Sequence, residues 1–222
     1  MIYEKFASYY DQFVDYELND IYYEMITKYY TEGTAIDIGT GTAPLAIKLA
    51  ENNFTVTGTD ISSPMLERAY NNAVIAGVHL NLYIHNILDP INMSYDVFTM
   101  TSDVVNYLSN EQETLRAFEN ISSAMNDNSI FAFDFLTPQH MNKVHNYKED
   151  ILLEDDLLEW HVAKTNVPNQ IKHSLKFGKI TETHFQTTFP LKKYKELLNK
   201  ANLFIQKKRK TDERIILLCK KR

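Results

Sequence analysis

Residues 34–60 read TAIDIGTGTAPLAIKLAENNFTVTGTD, which sets a carboxylate, two glycines and a second carboxylate at spacings that suit a nucleoside. Gly39 and Gly41 lie on either side of Thr40, so the backbone there can take positive φ and a ligand can approach without a Cβ in its way. Ala35, Ile36 and Ile38 read as a strand before this turn, and Leu45, Ile47, Leu49 and Ala50 as a helix after it. A helix that starts at such a turn offers unpaired N–H groups. A second strand, Phe54 to Thr59, ends at Asp60, roughly twenty residues beyond the turn, where an acidic side chain accepts hydrogen bonds from two ribose hydroxyls. A bound adenosine moiety is therefore expected.

Two cofactor classes use this arrangement, and the loop distinguishes them. A dinucleotide loop needs a third glycine where this chain has Pro44, which disfavours a nicotinamide-dependent oxidoreductase. Asp37, two residues before Gly39, completes Asp-x-Gly-x-Gly-x-Ala, which resembles the first motif of class I S-adenosylmethionine (SAM)-dependent methyltransferases. SAM has no pyrophosphate but carries an ammonium, which suits an acidic turn. S-adenosylhomocysteine would be the product.

The elements that must position these residues alternate along the chain. A helix is predicted from Ser63 to Ala76, with Ser62 or Ser63 as cap and Pro64 at its start. Strands follow at 80–85 and 95–101, then a helix at 111–125 and a strand at 129–136. Such alternation means a mostly parallel, doubly wound sheet of seven strands covered on both faces, with ligands at the carboxyl ends of its strands. Gly39, Asp60, Asn86 and Thr101-Ser102-Asp103 should gather along that edge. From Pro138 to Pro190 the pattern changes to antiparallel strands at 157–165, 171–178 and 179–189. A helix at 191–201 and a hairpin of strands at 203–210 and 214–220 close the chain. Residues 1–137 and 191–222 are expected to form the cofactor-binding core, and residues 138–190 an antiparallel insertion over the active-site edge.

This order of elements resembles a small class I methyltransferase across nearly the whole chain. The opening Tyr3-Glu-Lys-Phe6-Ala7-Ser-Tyr-Tyr10-Asp11 is similar to the start of the YqeM-like branch, and Ser102-Asp103-Val-Val-Asn106-Tyr107-Leu108 resembles that branch's Asp-Ser-x-Asn-Tyr-Leu. The resemblance implies Rossmann-like methylation chemistry with Asp60 on the ribose, and Asp37, Gly39, Thr40 and Gly41 around the amino-acid end. Tyr10 would donate to the SAM carboxylate. Asn86 stands where the family commonly has aspartate, and its amide oxygen can still accept from adenine while the Ile87 N–H meets the ring. Ile61 and Met65 would cover adenine, with Thr101 and Ser102 completing the cofactor edge. Asp103, Asn106, Tyr107, Trp160 and His184 are the candidates for the acceptor pocket. His184 lies in Glu182-Thr-His184-Phe-Gln186, similar to a Glu-x-His segment of the branch, and is with Tyr10 and Asp103 a candidate catalytic residue. A base at His184 would make the rate rise across roughly pH 6–7.

Composition narrows the partners. A net charge of −6 argues against general affinity for nucleic acid, and the basic runs Lys207–Lys210 and Lys220–Arg222 read as a solvated strand end and tail. No apolar stretch approaches the roughly eighteen residues of a membrane span, and the opening residues do not read as a signal peptide, so a cytoplasmic protein is expected. The single cysteine, Cys219, sits in an apolar run and reads as inert core. His161, His173 and His184 fall on successive strands, but no acidic residue has a spacing that makes it a ligand, so no metal is expected. No Asn-Pro-Pro-Tyr motif and no cysteine placed to attack a pyrimidine are found, which leaves a small-molecule nitrogen or oxygen nucleophile as acceptor and a monomer or homodimer as the working form. An RNA or protein methyltransferase and a non-catalytic SAM-binding module are the alternatives.

Overall fold

The computed structural model describes residues 3–222, so the first two residues of the opening segment lie outside it. Two short 3-10 turns, Phe6–Ser8 and Tyr10–Phe13, lead into α1 (Tyr16–Ile26), whose cap Asp15 accepts from the Leu18 N–H at 2.9 Å. Then come β1 (Gly33–Ile38), α2 (Pro44–Ala50), β2 (Phe54–Asp60), α3 (Ser63–Ala76), β3 (Asn81–Ile84) and β4 (Val97–Met100). They are followed by a 3-10 turn, Val104–Tyr107, and by α4 (Glu111–Ala124), β5 (Ile130–Leu136), α5 (Pro138–Val144) and β6 (Lys148–Leu152). The chain closes with β7 (Leu157–Lys164), β8 (Gln170–Phe177), β9 (Ile180–Thr187), α6 (Leu191–Lys200), β10 (Leu203–Lys210) and β11 (Arg214–Lys221).

Seven strands form one sheet in the order β10-β11-β5-β4-β1-β2-β3. β1, β2, β3, β4 and β5 pair in parallel, while β11 runs antiparallel between β5 and β10. The expected doubly wound sheet is thus the one observed. Its central strands are buried on both faces: every residue of β4 and β5 is buried, because helices cover the sheet from each side. One core packs α4 and α6 against Phe98, Phe131, Phe133 and Phe135, and the other packs α1 and α2 against Ala35, Val56 and Ile216. Cys219 is fully buried in the first of these cores, its thiol pushed up by burial.

A second sheet, β6-β7-β8-β9, is wholly antiparallel and comes from residues 148–187. The N-terminal segment packs on it: Phe6 joins Leu153, Leu158, Leu175 and Phe177 in one apolar cluster, with Tyr9 stacked on Phe177. On the other side Asp11 receives Arg68 Nη2 of α3 at 2.8 Å. Residues 3–13 therefore bridge the two sheets.

The sequence pattern did not predict α1, α5 or β6. In α1 the buried residues Leu18, Tyr22 and Ile26 recur every four positions, a helical signal obscured by the surrounding tyrosines. The α5 helix has only Met141 buried, and β6 is a mostly exposed edge strand, so neither imposes a pattern on its residues.

Candidate active site

At the carboxyl edge of the parallel sheet three consecutive odd positions, Gly39, Gly41 and Ala43, have positive φ, which coils the chain from β1 into α2. The two glycines serve different ends. A Cβ on Gly39 would lie 2.6 Å from both Val104 methyl carbons, so a neighbouring side chain fills that space. A Cβ on Gly41 would meet only Tyr10 Cε1, at 3.7 Å, which leaves its backbone open towards the cavity. Asp60 secures the turn, accepting from the Gly41 N–H at 3.0 Å and the Ser62 N–H at 2.8 Å. Burial raises the Asp60 pKa, and these backbone donors oppose that. Asp37 is 2% exposed and receives the hydroxyls of Thr99 at 2.6 Å and Thr40 at 2.7 Å; burial pushes it up to about 6.

These residues line one cavity of about 650 Å³. Tyr10, Asp37, Gly39, Thr40, Gly41, Asp60, Ile61, Met65, Asn86, Ile87, Thr101 and Ser102 all reach it, as do Asp103, Tyr107, Trp160 and His184. Ile61 is 54% exposed at the cavity edge, an apolar surface left for a flat ligand to cover. Asn86 Oδ1 accepts from the Leu88 N–H at 3.0 Å and so shapes its own turn. Burial pushes the Tyr10 phenol up, which keeps it a hydrogen-bond donor. Asp15, Asp37, Asp60, Asp103, Glu113 and Glu213 line the cavity against one cationic side chain, Arg214, among the described residues. Such a surface fits SAM, whose sulfonium and ammonium are cationic and whose adenosine needs an acceptor at Asp60 and an apolar cover at Ile61.

Asn106 requires a correction. It is fully buried, does not line the cavity, and uses its amide to donate to Thr187 O at 2.9 Å and accept from the Leu136 N–H at 2.9 Å. It ties the end of β9 to the end of β5 and has no surface for an acceptor. His184 is also corrected in one respect: burial pushes its pKa down to about 4, so the titration expected near neutral pH moves well below it.

The other acceptor-side residues are wired together. Trp160 Nε1 donates to His173 Nδ1 at 3.1 Å, and His173 Nε2 lies 3.1 Å from Gln186 Oε1. With Nδ1 accepting, Nε2 must carry the hydrogen and donate. Gln186 Nε2 then donates to Asp103 Oδ2 at 2.5 Å, and Arg214 Nη1 reaches Asp103 Oδ1 at 3.1 Å and Asp134 Oδ2 at 2.7 Å. Both Asp103 oxygens are engaged. Burial pushes Asp103 up to about 6 although Arg214 pulls the other way. Ser102 and Asp103 both adopt positive φ, a strained pair held by the bond from Asp103 N to Asp134. Sequence reasoning missed His173, Gln186 and Arg214. Gln186 could have been found, since it continues the inward alternation of Glu182 and His184.

His161 projects from the face of the second sheet opposite His173 and His184, which are cross-strand partners. Strand alternation thus separates His161 from the other two. Among the described residues no group of three metal-ligating side chains converges.

The family model described as a methyltransferase domain matches residues 31–202. The chain belongs to this methyltransferase domain family. It is 26% identical to "Putative methyltransferase YqeM" of Bacillus subtilis (strain 168), over 89% of this chain and 85% of that protein. The fold is similar to a crystal structure of an S-adenosylmethionine-dependent methyltransferase from Clostridium acetobutylicum, with a TM-score of 0.84, 22% identity and 98% of each chain covered. It is also similar to SAM-bound CalS10, an amino pentose methyltransferase from Micromonospora echinaspora, with a TM-score of 0.76, 13% identity and coverage of 97% and 95%. The class I, YqeM-like resemblance read from the sequence agrees with these findings.

Proposed function

We propose that this SAM-dependent methyltransferase methylates a small-molecule nitrogen or oxygen nucleophile, held between the parallel sheet and the inserted one. The observation that carries this reading is the single cavity of about 650 Å³ in which both sets of residues meet. Its volume lies within the roughly 300–1,000 Å³ of small-molecule sites. Walls on both sides leave less room for RNA or a folded protein than an open groove would. CalS10, whose name records an amino pentose acceptor, supports the same substrate class.

When bound, SAM supplies a methyl group already activated on a sulfonium. The chain's own residues then have to position and enclose. Asp60 would hold the ribose diol, Asp37 and the Gly39 carbonyl the ammonium end, Tyr10 the carboxylate, and Ile61, Met65 and Ile87 the adenine. Alignment of acceptor and methyl carbon can supply roughly 7–11 kcal/mol of the barrier. Residues 138–190 would choose the acceptor through Trp160, His184 and the Asp103–Gln186 pair, with Tyr107 beside them. Asp103 acts in this reading as an orienting carboxylate, since both its oxygens are engaged. His184, its imidazole uncharged at neutral pH, is the group able to receive an acceptor's proton.

Calorimetry with SAM, followed by a screen of small amines and hydroxy compounds for S-adenosylhomocysteine release, tests the reading. Binding with release from a small acceptor is expected. Release only with RNA or protein would transfer the assignment to the macromolecular alternative, and binding without any release would favour the non-catalytic module.

A further inference from the structure

The inner face of the inserted sheet contains two buried polar atoms without hydrogen-bond partners among the described residues. Along β9 the side chains of Glu182, His184 and Gln186 are buried, whereas Thr183 and Phe185 are exposed. Glu182 uses one oxygen on the N-terminal segment, Oε1 accepting from the Phe6 N–H at 3.2 Å and from the Lys5 N–H. Its other oxygen, Oε2, lies 3.7 Å from His184 Nε2, and among the described residues neither atom has a hydrogen-bond partner. Unpaired buried polar atoms are costly. A proton on the imidazole would make them an ion pair.

The other groups around His184 do not compete for that proton. Tyr3 from the N-terminal segment stacks on the ring at 4.4 Å, and Tyr107 meets it edge-on at 6.5 Å. Burial holds both phenols protonated. His173, the cross-strand neighbour on β8, is itself pushed down to about 4 by burial. The Lys5 ammonium pairs with Asp156 at 3.2 Å. Glu182 is the one carboxylate recorded in contact with His184 among the described residues.

We propose that Glu182 is a positioning residue through which a proton on His184 and the seated N-terminal segment stabilise one another. The Lys5 and Phe6 N–H groups hold the Glu182 side chain against the imidazole, and a carboxylate at that place favours imidazolium. By linkage the imidazolium favours the seated segment in return. In the reaction the acceptor's N–H or O–H bond breaks, its electron pair forms the bond to the methyl carbon, and the sulfide leaves with the electrons of the old bond. The proton goes to His184, whose imidazolium carries hydrogen on both nitrogens, so that Nε2–H faces Glu182 Oε2. This last consequence rests on the methyl-transfer reading; the linkage does not.

The test is an NMR titration of His184, assigned through His184→Gln, in the parent and in Glu182→Gln. Glutamine keeps a neutral acceptor for Lys5 and Phe6 but cannot pair a cation. The His184 midpoint should fall by at least about one pH unit, the size expected for loss of a close charge partner. An unchanged midpoint overturns the proposal and leaves Glu182 as a strap for the backbone alone. A reciprocal measurement holds even if Glu182→Gln loosens the segment. In the parent, protection of the Lys5 and Phe6 amides from exchange, corrected for intrinsic rate, should change through the His184 midpoint, and His184→Gln should abolish that step. No step in the parent, or a step that survives in His184→Gln, also overturns the linkage. Calorimetry with SAM on the same samples separates the two readings, since failure to bind SAM defeats the proposed function while leaving the titration result standing.

Discussion

On the parallel sheet the polar groups that face the cavity come from the last residues of strands or from the loops after them: Asp37, Asp60, Asn86 and Thr101–Asp103. On the inserted sheet they come from within strands, His173 from β8 and His184 and Gln186 from β9, with Glu182 buried on the same face of β9 while Phe185 is 49% exposed. The first arrangement leaves an apolar scaffold intact and varies only its edge. The second uses core positions for polar groups, which then need partners: Glu182 takes the Lys5 and Phe6 backbone, and Gln186 takes His173 and Asp103. A cofactor common to many enzymes can be held by loops of fixed form. In the proposed function, an acceptor peculiar to one enzyme would be met by this wired surface.

The largest effect expected from breaking this contrast comes at the joint between the sheets. Asn106→Leu should leave the Leu136 N–H and the Thr187 carbonyl unpaired, at about 1–3 kcal/mol for each group, read in urea unfolding. A loss below that would mean that the two sheets do not depend on this side chain. Next, Asp60→Ala removes hydrogen bonds to a charged acceptor, worth about 1.5–3 kcal/mol each, so SAM affinity should fall at least roughly tenfold by calorimetry. Unchanged affinity in a folded variant would place the cofactor elsewhere.

A smaller effect concerns pH. His173 and His184 are held near 4 against an ordinary 6.5, so the unfolded chain takes up their protons first as pH falls. Their contribution to stability is complete above 6.5 and is lost on the way down to about 4. Asp37 and Asp103, raised to about 6, act in the opposite sense over an overlapping range. The double variant His173→Gln/His184→Gln should therefore lose less stability than the parent between pH 7 and roughly 4.5. Equal losses would show that the imidazoles are not buried neutral. The smallest change sharpens the division of labour: Trp160→Ala and His184→Ala should each leave SAM affinity within a few-fold of the parent. A collapse in both would merge the two halves of the cavity into one site.

The cofactor side was legible because its residues obey local rules. Gly39 and Gly41 must turn, Asp60 must end a strand, and Ser62 must cap α3; each follows from neighbours close in sequence. The acceptor side was only partly legible, because its contacts join residues far apart in the chain. Arg214 meets Asp103 and Asp134 only once β11 has paired with β5, and Asn106 looked like a pocket residue until the end of β9 was seen against it. Trp160 and His184 could be named as pocket candidates from sequence, yet the face they occupy and their partners His173 and Glu182 depend on strand pairing and on the N-terminal segment.

The position of β11 also constrains the order of assembly. It lies between β5 and β10 although it follows both in the chain, and it pairs with β5 from Leu136 to Ile130. Until Arg214–Lys221 has emerged and inserted, β5 presents a strand apolar but for Asp134, with an unpaired edge, the kind of surface that recruits other chains. The nascent protein thus passes through a state with its nucleoside loop already encoded and its sheet still open. For a cell making this enzyme, the final strand marks the end of a period of exposure to aggregation.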